Sequence, residues 1–435
     1  MVKRSAVALA IALVTAPNAG AQSGRSYGPG HIWWEAGQGG ALPWEETYDN
    51  PDGQVGIVNR AGAVRTEHHP FFESLGANGR ACVTCHQPSN AMSVSAAALR
   101  ERWKETGGKD PIFAAVDGSN CPDLPQAAES SHSLLLERGL FRIFLPWPPR
   151  GVHPEFRIEV VRDPTRCNKG GAISVFRRPR MAANLDTIVA GPQGVRFMAD
   201  GREPSLTSQA ISAIMVHEEA ETHPTLEQLR GIVEFETQVY AAQSADIRGG
   251  LLNEKDGPAA LGPQNLAGGN AGSLGAALLF DVWRKPQGAP DIGLQREFRA
   301  SVARGSDLFS ARCASCHTSG TTRWMDIGTA NSAVAAGLPD LPLFRITCDP
   351  GAAPHPSLGR VFYTQDPGRA LISGKCADVG AIVLQQLRGL AARAPYFSNG
   401  SARTLREVVE FYDRRFKIGY SEQEKQDLVN FLRVL

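Results

Sequence analysis

Two pentapeptides of the form Cys-x-x-Cys-His are the residues of this chain best suited to chemistry. They occupy positions 82–86 and 313–317. The pattern is typical of covalent attachment of a c-type haem, in which two thiols bond to the porphyrin and the following imidazole becomes an axial ligand of the iron. The motifs therefore predict two haems, held by four cysteines and two histidines: Cys82, Cys85, Cys313, Cys316, His86 and His317.

A zinc site or a redox dithiol is the alternative interpretation of a Cys-x-x-Cys pair. A zinc site would usually bring both pairs into one cluster, but the two motif histidines lie 231 residues apart. A redox dithiol does not require the histidine that follows each pair. Both considerations favour haem.

The N-terminus has the features of a secretory signal peptide. Lys3 and Arg4 precede a short apolar stretch at 6–16, and residues 19–21 (Ala-Gly-Ala) form a small-residue cleavage site. Neither this stretch nor any later one is long and apolar enough to span a membrane. We expect removal of residues 1–21 and a periplasmic mature protein. Its formal net charge changes from +1 to −1, which argues against nucleic acid or an anionic membrane as a partner.

Four further cysteines remain: Cys121, Cys167, Cys348 and Cys376. An even number in an oxidising compartment predicts two disulfides. Pairing within each half, Cys121 with Cys167 and Cys348 with Cys376, is the simplest arrangement because each bridge stays near one haem. Free thiols and other pairings stay open.

Each haem motif organises one half of the chain. We expect an N-terminal haem domain over 22–250, a Gly-rich linker over 251–293 and a C-terminal haem domain over 294–435. Residues from about 88 to 180 form an insertion in the first domain. Within it, two alternating runs beginning at Phe141 and Phe156 flank a Pro-rich turn and predict a hairpin.

Helices account for most of the remaining pattern. Apolar faces predict one helix from Thr225 to Ala242 and another from about Leu294 into the second haem motif. Two C-terminal helices begin at Thr404 and Ser421, which fit capping boxes. The expected fold is therefore mainly α, with two cytochrome c-like haem domains and a small β-containing insertion in the N-terminal half.

Three stretches resemble the bacterial di-haem cytochrome c peroxidase superfamily, which includes the oxidase MauG. Residues 387–401 (LRGLAARAPYFSNGS) are similar to the family's Leu-Arg-Asn to Ala-Pro-Tyr-Phe-His segment, and residues 196–202 (RFMADGR) with 209–210 are similar to its Phe-Trp-Asp-Gly-Arg to Gln-Ala run. Residues 71–73 resemble its Phe-Phe-Asp. The resemblance implies that two cytochrome-like domains face each other. In such enzymes, peroxide meets the N-terminal haem and the C-terminal haem relays electrons.

The resemblance also implies partners. They are hydrogen peroxide and a small periplasmic electron donor, either a cytochrome c or a cupredoxin. Homodimer formation stays open. The family's inter-haem Trp falls on Met198-Ala199, so Trp324 or Trp103 is considered as a substitute. The family's calcium-holding Asn falls on Arg178, which leaves calcium open.

The sixth ligand of the C-terminal iron decides its reactivity. The family's Met ligand falls on Tyr412, where the MauG branch has a ligating Tyr. The resemblance therefore implies ligation by Tyr412. A hydrogen-bonded Tyr in a helix face, or ligation by His355 or Met325, stays open.

The N-terminal haem needs a group that takes a proton from bound peroxide and returns it to the leaving oxygen. The family's acid falls on Glu219. Glu219 is the predicted catalytic residue, and His217 beside it is a helper or a switchable sixth ligand. A solvated acidic turn is the alternative for this cluster.

Three functions follow from these residues. A periplasmic peroxidase is the main hypothesis. A MauG-like oxidase or oxygenase acting on an organic or protein substrate is favoured by Tyr412, the missing Trp and the insertion. A non-enzymatic electron-transfer cytochrome, with both irons capped, is the third.

Overall fold

The computed structural model describes residues 25–27, 31–189, 195–270, 277–284, 293–317, 322–324 and 327–435. The predicted signal peptide and Met325 lie outside these residues. Within the described part of the chain, no helix is long and apolar enough to cross a membrane.

The described residues form twelve α-helices, numbered α1 to α12 in chain order: Cys82–Cys85, Ala96–Thr106, Ser133–Arg138, Asp186–Val189, Leu206–His217, Leu226–Gln238, Pro263–Ala267, Asp281–Arg284, Gly293–Arg312, Ala370–Ser373, Leu405–Phe416 and Glu422–Arg433. Short 3-10 helices lie at Pro88–Asn90, Pro111–Phe113, Glu129–His132, Ala277–Phe280, Cys376–Asp378 and Leu390–Ala392. The strands, β1 to β16, are Arg25–Tyr27, His31–Trp33, Ala41–Leu42, Glu45–Asn50, Gly53–Asn59, Val64–Arg65, Phe141–Pro146, Phe156–Arg162, Ala172–Arg177, Val239–Asp246, Gly250–Leu251, Thr322–Trp324, Thr329–Ala330, Leu343–Cys348, Val361–Thr364 and Ala381–Val383.

The expectation of a mainly α fold is wrong, because the fold is a mixture of α and β. The described strands form six antiparallel sheets, two of them four-stranded, in the orders β11-β10-β5-β4 and β13-β15-β14-β8. Strand β10 shows the reason. The predicted helix over 225–242 ends at Gln238, and the chain then pairs with β5, placing Ala241 opposite Ile57. The apolar pattern of 239–242 suits a helix or a buried strand, and the distant partner decides between them.

The predicted hairpin in the insertion is also wrong. Strand β7 pairs with β9, so that Phe141 lies opposite Arg177. Strand β8 pairs instead with β14 of the C-terminal half, so that Ile158 lies opposite Ile346. Alternation with a period of two identifies a strand but not its partner. One sheet therefore contains strands from both halves of the chain.

Both predicted disulfides are confirmed. Cys121 bonds to Cys167 and Cys348 bonds to Cys376, with Cα–Cα distances of 5.4 and 5.7 Å. The four cysteines of the haem motifs are not in disulfides. The oxidised pairs and the thiols available to haem are thus separate sets.

Helix α9 runs to Arg312, directly before the second haem motif, as predicted. It crosses α12 at Gly305, where a Cβ atom would meet the carbonyl oxygen of Asp427 at 2.1 Å. Ser301 of α9 donates a hydrogen bond to Asp427 at 2.6 Å, and the rings of Phe309 and Phe431 lie 5.3 Å apart. The close crossing fixes the position of the motif relative to the C-terminal helix.

The predicted linker over 251–293 contains helices α7 and α8 within its described residues. Leu266 of α7 and Trp283 of α8 are buried, and the Arg299 guanidinium of α9 lies 5.1 Å from the Trp283 ring. Residues 271–276 and 285–292 lie outside the described residues. The predicted domain boundaries stay a prediction.

Candidate functional site

The first haem motif is a single helical turn, α1, followed by His86. The amide of Val83 donates to the carbonyl of Phe71, and the amide of His86 donates to Cys82, which anchors the turn to the core. Nδ1 of His86 donates to the carbonyl of Met92 at 3.0 Å. Burial lowers the His86 pKa to about 4, so the imidazole is neutral. Its Nε2 therefore has the free electron pair that a metal ligand requires.

His86 and Cys85 contribute to a cavity, termed the N-terminal cavity, with a volume of about 200 Å³. Segments distant in sequence complete its wall: residues 177–182, 196–199 and 383–386. Apolar groups such as Met181, Leu185 and Phe197 stand beside ionisable ones, notably Asp117, His217 and Glu236. An apolar space with a few polar groups is the usual form of a cofactor site.

His217 and Asp117 form a couple on this wall. Nδ1 of His217, the last residue of α5, donates to one oxygen of Asp117. The other oxygen of Asp117 pairs with Arg80, whose guanidinium also donates to the carbonyls of Pro111 and Ile112 at 2.7 Å. Burial by itself would raise the Asp117 pKa, but Arg80 and His217 together hold it below its usual value. Asp117 is therefore ionised and fixes which His217 nitrogen carries the proton.

Glu219 lies elsewhere. Its side chain is exposed, accepts a hydrogen bond from Asn78 at 3.0 Å and does not line the N-terminal cavity. Its neighbour Glu218 is buried, accepts from the Leu75 amide at 2.9 Å, and has a pKa raised to about 7 by burial. The catalytic role of Glu219 stays a prediction.

Glu236 is a cavity residue that the sequence analysis missed. It is 4% exposed, and its Oε2 has no hydrogen-bond partner among the described residues. Burial raises its pKa to about 8, so the carboxyl is protonated at neutral pH. The helical spacing could have predicted its burial, because Glu236 follows Leu229 and Ile232 by seven and four positions and so lies on the apolar face of α6. Asp117 had no comparable local signal.

The second motif contributes to a larger cavity, termed the C-terminal cavity, with a volume of about 470 Å³. The His317 ring lies 5.8 Å from Phe309 and 6.2 Å from Tyr412. Its Nδ1 is buried without a partner among the described residues, and burial lowers the His317 pKa to about 4. The neutral ring is thus competent to bind a metal.

Two phenols line the C-terminal cavity. Tyr412 lies there as predicted for a ligand, although its ligation stays a prediction. Its hydroxyl has no partner in the described structure, and burial, followed by the Cys313 and Cys316 thiols, raises its pKa. Tyr420 was not anticipated. Its hydroxyl is also buried without a partner among the described residues, and burial raises its pKa to about 12.

Two alternatives considered from sequence lie outside both cavities. His355 is buried 4.9 Å from Phe362, and its Nδ1 accepts from the Leu358 amide at 3.1 Å. Trp103 packs against Phe113 and His132 at 4.9 and 4.8 Å. Neither lines a cavity.

No protein-family model matches the chain. It is 30% identical over 162 residues to the cytochrome-c peroxidase IdrP1 of Pseudomonas sp. (strain SCT), covering 31% of this chain and 40% of that protein. It is 28% identical over 182 residues to the protein of the same name from Denitromonas iodatirespirans, covering 36% and 46%. The chain resembles cytochrome-c peroxidases. It spans less than half the length of these curated relatives, so the likeness supports a peroxidase-type cytochrome as a class.

The residues present fit the haem that this class implies. Cys85 and His86 line the N-terminal cavity, and Cys313, Cys316 and His317 line the C-terminal cavity. None of these cysteines is in a disulfide, and both imidazoles are neutral. Three arginines of the wall have no carboxylate within ion-pair distance of their guanidiniums among the described residues: Arg178 and Arg393, which are buried, and Arg180, which is half-buried. Burial lowers the pKa values of Arg178, Arg180 and Arg393 to about 9, 9 and 10. Buried cations without anions are costly, and porphyrin carboxylates would supply the missing charge.

Arg178 stands at the position where the resembling family has an Asn that holds calcium. Its guanidinium donates to the carbonyls of Val94, Arg138 and Arg393 at 2.6, 3.1 and 2.8 Å. A positive charge already occupies this set of carbonyls. No group of three or more His, Cys, Asp or Glu residues in the described ranges is arranged to hold a metal ion.

Proposed function

We propose that this protein is a periplasmic di-haem c-type cytochrome that reduces hydrogen peroxide at the N-terminal cavity. Electrons would come from a small donor protein, a cytochrome c or a cupredoxin, through a haem in the C-terminal cavity. The observation that carries the proposal is the His217–Asp117 couple in the wall that also contains His86. The similarity to named cytochrome-c peroxidases supports the reaction class.

The overall reaction consumes one H₂O₂, two protons and two electrons and yields two waters. Haem iron, when bound through His86, supplies the coordination site and the redox chemistry. The protein must then move protons and separate the site from bulk water. Those tasks fall to the side chains of the cavity wall.

His217 is suited to proton transfer. Since Asp117 accepts from its Nδ1–H, the neutral ring has an unprotonated Nε2. That nitrogen can take a proton from one peroxide oxygen and return it to the other as the O–O bond breaks. General acid–base catalysis of this kind contributes about 10²- to 10⁴-fold.

Arg80 acts through Asp117. The guanidinium is 1% exposed and pairs with the carboxylate. By favouring the ionised carboxylate, it keeps the acceptor that orients His217. We assign Arg80 and Asp117 as positioning residues and His217 as the proton carrier.

The electron route would cross the wall between the cavities. Residues 383–386, Arg178 and Arg393 line both of them. Met198-Ala199, where the family has Trp, lies against this wall, since the Val383 amide donates to the Ala199 carbonyl at 2.9 Å. The route would then use the shared wall in place of an indole.

His217→Gln tests the proposal. We expect two haems per chain by pyridine haemochrome and a kcat/KM for peroxide, with reduced cytochrome c as donor, about 10²- to 10⁴-fold below wild type. Equal turnover at equal haem content would contradict the assignment. Wild-type haems that bind neither cyanide nor carbon monoxide in any redox state would indicate an electron-transfer cytochrome instead.

A MauG-like oxidase is the second candidate, and the two unpartnered phenols of the C-terminal cavity favour it. A tyrosinate ligand stabilises ferric and higher-valent iron. Stopped-flow mixing with peroxide separates the functions. Rapid oxidation of the donor would support the peroxidase, whereas a long-lived oxidised spectrum with little donor turnover would support the oxidase.

A further inference from the structure

The wall between the two cavities contains two charged residues. Among the described residues, Arg178 and Arg393 are the charged side chains that line both cavities. Other cations face one side: Arg180 lines the N-terminal cavity and Arg312 the C-terminal cavity. The shared pair is thus placed to act on ligands in both.

Within the described part of the chain, the guanidiniums of this pair donate hydrogen bonds to neutral groups alone. Arg178 donates to three backbone carbonyls, and Arg393 donates to the carbonyls of Arg388 and Gln386 and to the Gln385 side chain. The two residues are 6% and 5% exposed. Neutral acceptors offset part of the cost of removing a cation from water, but they supply no opposite charge.

The two residues are also directly linked, because the Arg178 guanidinium donates to the Arg393 carbonyl at 2.8 Å. Two like charges held side by side in a buried wall repel each other. An anion that reaches the wall from either cavity relieves that repulsion. The planar guanidinium fork matches a carboxylate, which it can bind through two parallel hydrogen bonds.

We infer that Arg178 and Arg393 together bind carboxylates of both porphyrins and thereby couple the reduction potentials of the two haems. The inference rests on the proposed di-haem character. A fixed positive charge favours the reduced state of a nearby iron. Reduction at one haem weakens the net positive field of the shared wall, and the second haem then becomes harder to reduce.

Spectroelectrochemical titration of the holoprotein tests this inference without peroxide. Arg393→Gln should lower both midpoint potentials, and Arg178→Gln should do the same. The matched variants Arg180→Gln and Arg312→Gln should each lower one midpoint, that of the N-terminal and the C-terminal haem respectively. A shift confined to one haem in Arg393→Gln, or no shift, at unchanged haem content would overturn the inference.

Arg393→Lys provides the test if the glutamine variant does not accumulate. Lysine keeps the charge but loses the two-point fork. Both midpoints should still move together, by less than in the glutamine variant, and movement of one alone would overturn the inference. Coupled shifts in a protein without peroxide turnover would refute only the peroxidase proposal. Intact turnover with uncoupled shifts would refute only this inference.

Discussion

Asp117 accepts a hydrogen bond from Nδ1 of His217, a residue 100 positions later in the chain. The contact joins the predicted insertion to the end of α5, and both residues line the N-terminal cavity. It gives His217 a defined tautomer, with Nε2 as the basic nitrogen.

Asp117→Asn should lower peroxide turnover, because an amide can donate to His217 and favour the wrong tautomer. We expect kcat to fall while the haem content and the visible spectrum stay near wild type. Steady-state kinetics with reduced cytochrome c checks this. A rise in KM with kcat unchanged would argue for a role in binding instead.

Glu219→Gln tests which residue carries the proton: Glu219, as predicted from the sequence, or His217, as the structure favours. Glu219 is exposed and bonded to Asn78, so we expect a smaller loss of kcat/KM than in His217→Gln. Both variants are measured under the same conditions. A larger loss in Glu219→Gln would restore Glu219 as the proton carrier.

Tyr412→Phe should change the ferric spectrum of the C-terminal haem if the phenol is its ligand. Tyr420→Phe is the matched control, because it removes a second unpartnered hydroxyl from the same cavity. Electron paramagnetic resonance of the oxidised proteins distinguishes the two. Unchanged spectra in Tyr412→Phe would exclude the ligand, and a change in Tyr420→Phe alone would transfer the role to Tyr420.

Glu236 predicts a pH dependence of stability. Burial raises its folded-state pKa from 4.5 to about 8, so the folded protein binds the proton more tightly than the unfolded chain. Stability is therefore lost as the pH rises from about 4.5 to 8. Glu236→Gln removes this loss. Its advantage in free energy of unfolding by urea should be near zero at pH 4, grow to pH 8 and then level off. An advantage that does not vary with pH would contradict the assignment.

The disulfide between Cys121 and Cys167 encloses a sequence separation of 46 residues. Loop-closure entropy predicts that replacing both cysteines by Ser lowers the free energy of unfolding by about 4 kcal/mol. The Cys348–Cys376 pair spans 28 residues and should cost slightly less. Urea unfolding of the oxidised proteins measures both. A loss well below 1 kcal/mol would indicate that the unfolded chain is already compact in this region.

Several features could be predicted from the sequence because they are local. The haem motifs depend on adjacent residues, and an apolar face that continues into the second motif predicts α9. The predicted capping box at Ser421 is confirmed at the start of α12, and it satisfies backbone groups within one helical turn. At Thr404 the side chain accepts from the Glu407 amide, but the reciprocal bond of a capping box is not formed. The pairing of the other cysteines was the simplest of the arrangements that the sequence left open, and the structure selects it.

Tertiary structure decided what depends on distant partners. The choice between helix and strand at Val239–Asp246 required β5, and the pairing of β8 required β14. The same reason explains the site. His217 could be named as a candidate from the sequence, but its partner Asp117 lies 100 positions away, and Arg178 and Arg393 lie 215 positions apart. These residues come together only when distant segments pack around the cavities. Periodicity reports which face of an element is buried, and only packing determines what that face meets.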